Sequence, residues 1–206
     1  MNIQRDVNVN PAALKFRRVS DELGQKNLNR MQASSLDIYD SLAYELNQTE
    51  YIFYREASTR AFPFTNLTQS GNKLNVGEGM TVQAIYFNVL EKIVDEGISE
   101  IYEPDGLDTA SPLGSVALGE FDVIVGNQTI LKNLRLLTSG SFYNKFAKTQ
   151  QQVYILDNPF FVPPLVTFEI RLRVPRFTPI LDPQTTYFLQ ATMSGFAGIL
   201  SLKKTL

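Results

Sequence analysis

The sequence predicts an all-β fold: two packed antiparallel sheets behind a helical N-terminal arm. Three observations predict it. Val166, Phe168, Ile170, Leu172 and Val174 alternate with Thr167, Glu169, Arg171 and Arg173, the period-two pattern of a strand with one face in a core and one in water. Pro163-Pro164 opens that strand and Pro175 closes it, because proline cannot donate to a sheet ladder. Further short β-prone runs recur along the chain with turn residues between them, and one wet face argues for antiparallel pairing.

The arm comes first. From Leu14 to Leu46 the apolar residues Leu14, Val19, Leu23, Leu28, Met31, Leu36, Tyr39, Leu42 and Leu46 fall at spacings that read as helical. Ser20-Asp-Glu and Ser35-Leu-Asp offer caps or acidic first turns. The spacing therefore predicts two helices, or one broken near Gly24, within an arm spanning residues 1–49. In the first thirty residues Arg5, Lys15, Arg17, Arg18, Lys26 and Arg30 outnumber Asp6, Asp21 and Glu22. Two readings stay open: a solvated helix face, or an arm that packs on a partner subunit or a polyanion.

The β domain is expected over residues 50–206. Tyr51-Ile-Phe-Tyr opens it, and residues 65–79 read as a polar, glycine-rich loop. Met80 to Val89 is apolar on both faces, so it predicts a strand covered on both sides, with the N-terminal helices as one candidate cover. Residues 91–119 form a long acidic connection with Lys92 as its one cation. Calcium takes oxygen ligands, but the spacing of Glu103, Asp105 and Asp108 matches no calcium-loop pattern.

Phe121, Val123 and Val125, then Gly126-Asn127, then a returning β-prone run predict a hairpin with a two-residue turn. Residues 138–152 read as a polar loop anchored by Phe142, Tyr143 and Phe146. Asp157-Asn-Pro159 ends a short strand, and Ser194-Gly195 separates two more. The expected strands are 52–56, 81–90, 120–125, 128–136, 152–156, 165–174, 186–193 and 196–202. Eight strands in two sheets favour a jelly roll over other sandwiches.

Composition limits the chemistry. The 206 residues are 44% hydrophobic and 19% charged, with a net charge of −2. That is enough to bury a substantial core and provides no whole-chain basic field. Cysteine and histidine are absent. Disulfides, thiol nucleophiles, histidine triads and zinc hydrolysis are thereby excluded, and no metal or cofactor site is expected. The polar N-terminus contains no secretory apolar run, and no window reaches the ~18 apolar residues of a spanning helix. Asn47-Gln-Thr49, Asn66-Leu-Thr68 and Asn127-Gln-Thr129 match the glycosylation pattern and, without an export signal, are read as chance.

Carboxylate catalysis survives these exclusions. Its candidates, Glu120 with Asp122 and Glu169, fall on wet strand faces rather than in one cleft. Gly77-Glu-Gly79 lacks the Gly-Lys-Ser/Thr of a phosphate loop. Tyr51, Phe53 and Tyr54 suit a core or an interface better than a base-stacking platform. No catalytic residue is assigned, and no enzyme activity is expected.

Asn72-Lys-Leu with Gly79-Met-Thr-Val-Gln-Ala-Ile-Tyr-Phe, Gly126-Asn, Asn158-Pro-Phe-Phe-Val-Pro-Pro and Phe168-Glu-Ile-Arg-Leu resemble stretches of the jelly-roll capsid (coat) proteins of bacterial viruses. The resemblance covers about residues 70–202 and rests on strand texture. It implies a structural protein of the virion, made in the host cytoplasm, whose barrel forms the shell through contacts with copies of itself and other virion proteins. Its arm would then reach a neighbouring subunit, an internal membrane or the genome. The arm residues expected at that interface are Arg5, Lys15, Arg17, Arg18, Leu28, Met31, Leu36 and Tyr39. The rival from another class is a carbohydrate- or receptor-binding β-sandwich of a phage fibre or adhesin.

Overall fold

The computed structural model describes residues 31–60, 62–67, 72–93, 97–100, 116–136, 140–144, 149–176 and 186–200. Ten strands run through these residues: β1 (Met31–Ala43), β2 (Glu50–Phe53), β3 (Glu78–Ile93), β4 (Gly97–Glu100), β5 (Glu120–Val125), β6 (Gln128–Arg135), β7 (Gly140–Asn144), β8 (Thr149–Val162), β9 (Phe168–Arg173) and β10 (Thr186–Leu200). They form two antiparallel sheets. The larger has the order β1-β10-β3-β8-β7, with β4 also on β3; the smaller is β2-β9-β5-β6. Since β10 lines one edge of β3 from Glu78 to Lys92, β8 and β4 take its other edge in succession.

The pairing is nested. β1 pairs with β10, β2 with β9, β3 with β8 and β5 with β6. Strands from the two ends of the chain thus meet in order, working inward to the β5–β6 hairpin.

One core joins the sheets. Ile38, Val82, Ile85, Phe87, Val89, Leu189, Ala191 and Met193 of the larger sheet cluster with Tyr51, Phe53, Phe121, Val123, Phe168, Ile170 and Leu172 of the smaller. Phe87 bridges them, with ring centroids 6.3 Å from Phe53 and 5.2 Å from Phe121. Such aromatic contacts add about 0.5–1.5 kcal/mol each beyond the area they bury.

The hairpin and the alternating strand form where the sequence places them. Gly126 has φ 61°, and a glycine at the first central position with positive φ is what a type II′ turn requires. Along β9, Phe168, Ile170 and Leu172 are buried while Glu169, Arg171 and Arg173 are half-buried on the other face.

Other elements differ from expectation. The expected helix over 28–46 is β1 from Met31 to Ala43, paired along its length with β10. Its inward residues are Leu36, Ile38, Asp40 and Leu42, which lie opposite Gly195, Met193, Ala191 and Leu189. Asp40 in that series interrupts the apolar alternation that identifies a strand. The expected loop over 138–152 contains β7 and the start of β8. Asp157-Asn158-Pro159 does not end β8: pairing jumps from Ala84–Ile155 to Val82–Phe160, so these residues bulge out and proline costs no ladder bond.

The two expected strands at the C-terminal end are one, β10, with a register shift at Ser194-Gly195. The acidic connection is partly strand, since β3 continues to Ile93 and β4 folds back on it. Glu103, Asp105, Asp108 and Phe146 lie outside the described residues.

Candidate interaction surfaces

Of the expected arm residues, Arg5, Lys15, Arg17, Arg18 and Leu28 lie outside the described residues. Met31 begins β1, and Leu36 and Tyr39 lie further along it. These last two point to opposite faces. Leu36 packs against the core, whereas Tyr39 stands on the outer face opposite Thr192. Leu36 and Tyr39 therefore do not share one helical apolar stripe. That correction follows from strand geometry, in which side chains three apart face opposite ways.

β1 is the outer strand of its sheet, and a long edge strand invites unwanted pairing. Asn66 covers its middle. The Tyr39 N–H donates to Asn66 Oδ1 (2.9 Å), Asn66 Nδ2 donates to the Asp37 carbonyl (2.7 Å), and the Asn66 N–H donates to the Tyr39 carbonyl (3.4 Å). One amide side chain thus stands in for a partner strand. The glycosylation-like pattern at Asn66 has its Nδ2 occupied by this bond.

The loop carrying Asn66 is tied down by a buried ion pair. Asp40, fully buried, accepts from Arg60 Nη2 (2.6 Å) and Nε (3.0 Å) and from the Tyr54 N–H (2.7 Å). The Tyr54 hydroxyl shares its proton between the carbonyls of Ile38 (2.9 Å) and Ala191 (3.0 Å). Burial, then the Asp40 charge, pushes the Tyr54 phenol well above its ordinary range. Burial also pushes Tyr51 up, to about 12.

Both tyrosines bind their protons more tightly when folded. The stability they contribute is fully present below pH ~10 and is lost as pH rises through the folded values. For Tyr51 alone the shift is on the order of 3 kcal/mol. In an alkaline titration, the last phenolate absorbance step should coincide with loss of the β circular-dichroism signal. Ionisation of all nine tyrosines with the fold intact would count against this.

The outer face of the smaller sheet is an ionic ladder. Glu169 pairs with Arg55 (2.9 Å) and Arg171 (2.8 Å). Arg173 pairs with Glu120 (2.9 Å) and Asp122 (2.8 Å) and donates to Asn133 Oδ1 (2.8 Å). Asn133, at φ 53° in an irregular stretch of β6, also gives its N–H to Asp122 Oδ1 (2.6 Å). Burial raises the Asp122 carboxyl, but the bonds from Arg173 and Asn133 and the Arg173 and Lys132 charges outweigh it, so the net shift is downward. A general acid needs the opposite tuning. The period-two pattern showed these side chains to be on the wet face. Their pairing depends on β5 lying beside β9, which local sequence does not reveal.

At one end of the sandwich three loops meet. The Leu165 N–H donates to Leu74 O, Phe168 N–H to Asn72 O and Gly126 N–H to Thr167 O. This rim displays Val76, 80% exposed, and Leu165, 58% exposed. Leu165 has φ 61°, a left-handed conformation costing an ordinary side chain about 1–2 kcal/mol. Neither residue stood out in the sequence, because nothing local marks a leucine as exposed and strained.

No protein-family model matches the chain, and no curated protein matches it.

Proposed function

We propose that this chain is a jelly-roll coat protein that builds a virion shell through contacts between copies of itself. One observation carries the reading. The nested pairs β1·β10, β2·β9, β3·β8 and β5·β6 are what results when one long hairpin is rolled into two facing sheets, the winding shared by viral capsid and lectin domains. The strained, exposed Leu165 beside Val76 adds support, since backbone strain concentrates where a surface is used. The arm, with Arg5, Lys15, Arg17 and Arg18, is the part that reaches a neighbouring subunit, an internal membrane or the genome.

Sedimentation and electron microscopy of the purified chain test the reading: closed particles or large symmetric oligomers are expected. A chain that remains monomeric at every concentration would overturn it. Removing residues 1–20 should leave the sandwich folded but reduce assembly. Unimpaired assembly of the truncated chain would remove the arm from the scheme.

Leu165→Asn separates the rim from the fold. Asparagine tolerates the left-handed region, so stability should stay level or rise by about 0.5 kcal/mol, while assembly weakens. Normal assembly of this variant would exclude the rim as a contact. A carbohydrate- or receptor-binding sandwich of a fibre or adhesin shares the same winding, and one feature of the larger sheet favours it as a second reading.

A further inference from the structure

We infer that the outer face of the larger sheet holds a subsite for a neutral sugar. The register places nine outward residues in three rows across β1, β10 and β3: Asp37, Ser194 and Ala84; Tyr39, Thr192 and Tyr86; Ser41, Gln190 and Asn88. Between them lies a shallow recess of about 180 Å³ lined by Asp37, Tyr86, Asn88, Thr192 and Ser194. Tyr39 and Tyr86 stand two strands apart, about 10 Å between backbones, on either side of Thr192. Ala84 and Ser194 are small and leave room between the larger side chains.

The recess contains an unmet demand. Asn88 is 7% exposed, its Nδ2 donates to Gln190 Oε1 (3.4 Å), and its buried Oδ1 has no hydrogen-bond partner among the described residues. Gln190 Nε2 donates in turn to Ser41 Oγ (3.1 Å), which fixes the row. A buried acceptor without a partner costs free energy that a bound donor restores. Asp37 is exposed, and no cation among the described residues pairs with it.

The lining selects the ligand class. Asp37 and Asn88 Oδ1 require donors, whereas the Thr192 and Ser194 hydroxyls both donate and accept. A guanidinium or ammonium group supplies donors alone and leaves those hydroxyls unused. A sugar hydroxyl does both, and a pyranose ring presents a C–H face to Tyr86. One charged group among five lining side chains also suits a neutral polyol. The recess is smaller and more polar than the usual small-molecule site, which suits a single polyol ring held by hydrogen bonds against one aromatic wall.

The test is a titration of the ¹⁵N-labelled, unassembled chain with methyl glycosides of glucose, galactose, mannose and N-acetylglucosamine, and in parallel with arginine methyl ester. It does not depend on whether the chain forms particles. At least one glycoside should give saturable amide shifts confined to residues around Asp37, Tyr86, Asn88 and Thr192. Asp37→Asn and Tyr86→Ala, both at positions with solvent access, should each weaken binding about tenfold or more. Saturation by no glycoside, by the arginine ester alone, or with equal affinity in both variants overturns the assignment.

Discussion

Replacing Arg60 with methionine should destabilise the chain by about 3–5 kcal/mol, the usual cost of leaving a buried charge without its partner. Asp40 has no exposure, and Arg60 supplies two of the three hydrogen bonds its carboxylate accepts. Without the guanidinium the buried carboxylate keeps a single hydrogen bond, from the Tyr54 N–H.

Denaturant unfolding checks this. Asp40→Leu combined with Arg60→Met should recover most of the loss. The Tyr54 N–H remains without its acceptor, which costs about 1–3 kcal/mol. A single-variant loss below about 1 kcal/mol would show that the pair does not hold the loop.

Gly195→Ala should be comparably damaging for a purely steric reason. A Cβ at Gly195 would run into the backbone carbonyl of Thr81 and crowd Val82 Cα. Both belong to β3, the strand that β10 pairs with at this register shift. Backbone on two paired strands cannot yield as a flexible side chain can. The expected loss is about 3 kcal/mol or more, at the upper end for overpacking. Thermal unfolding within about 0.5 kcal/mol of the parent would mean that the strands separate here at little cost.

These two positions also show why the sequence was only partly legible. Gly126-Asn127 and the run from Phe168 to Arg173 carry their signals within a few residues, so the hairpin and β9 were readable. β1 was not, because Asp40 sits on the core side where a strand pattern requires an apolar residue. Its justification, Arg60, lies twenty residues along the chain. Gly195 and Pro159 were read as breaks because glycine and proline usually are. In the fold Gly195 lies opposite a bulge at Gln83 of β3 and Pro159 sits within a bulge of β8, so both long strands continue, and only the neighbouring strand reveals that. The ladder around Arg173 was legible as a wet face but not as a set of partners. The recess beside Asn88 draws on β1, β10 and β3, and no local stretch contains it.

The nested winding has a practical consequence for the chain ends. Met31 lies opposite Leu200 in the β1–β10 pair. Whatever precedes residue 31 and whatever follows residue 200 therefore leave from the same corner of the larger sheet. A peptide or reporter grafted directly before Met31 or directly after Leu200 would be delivered to one address, and a short tether between those two residues would have little reach to span.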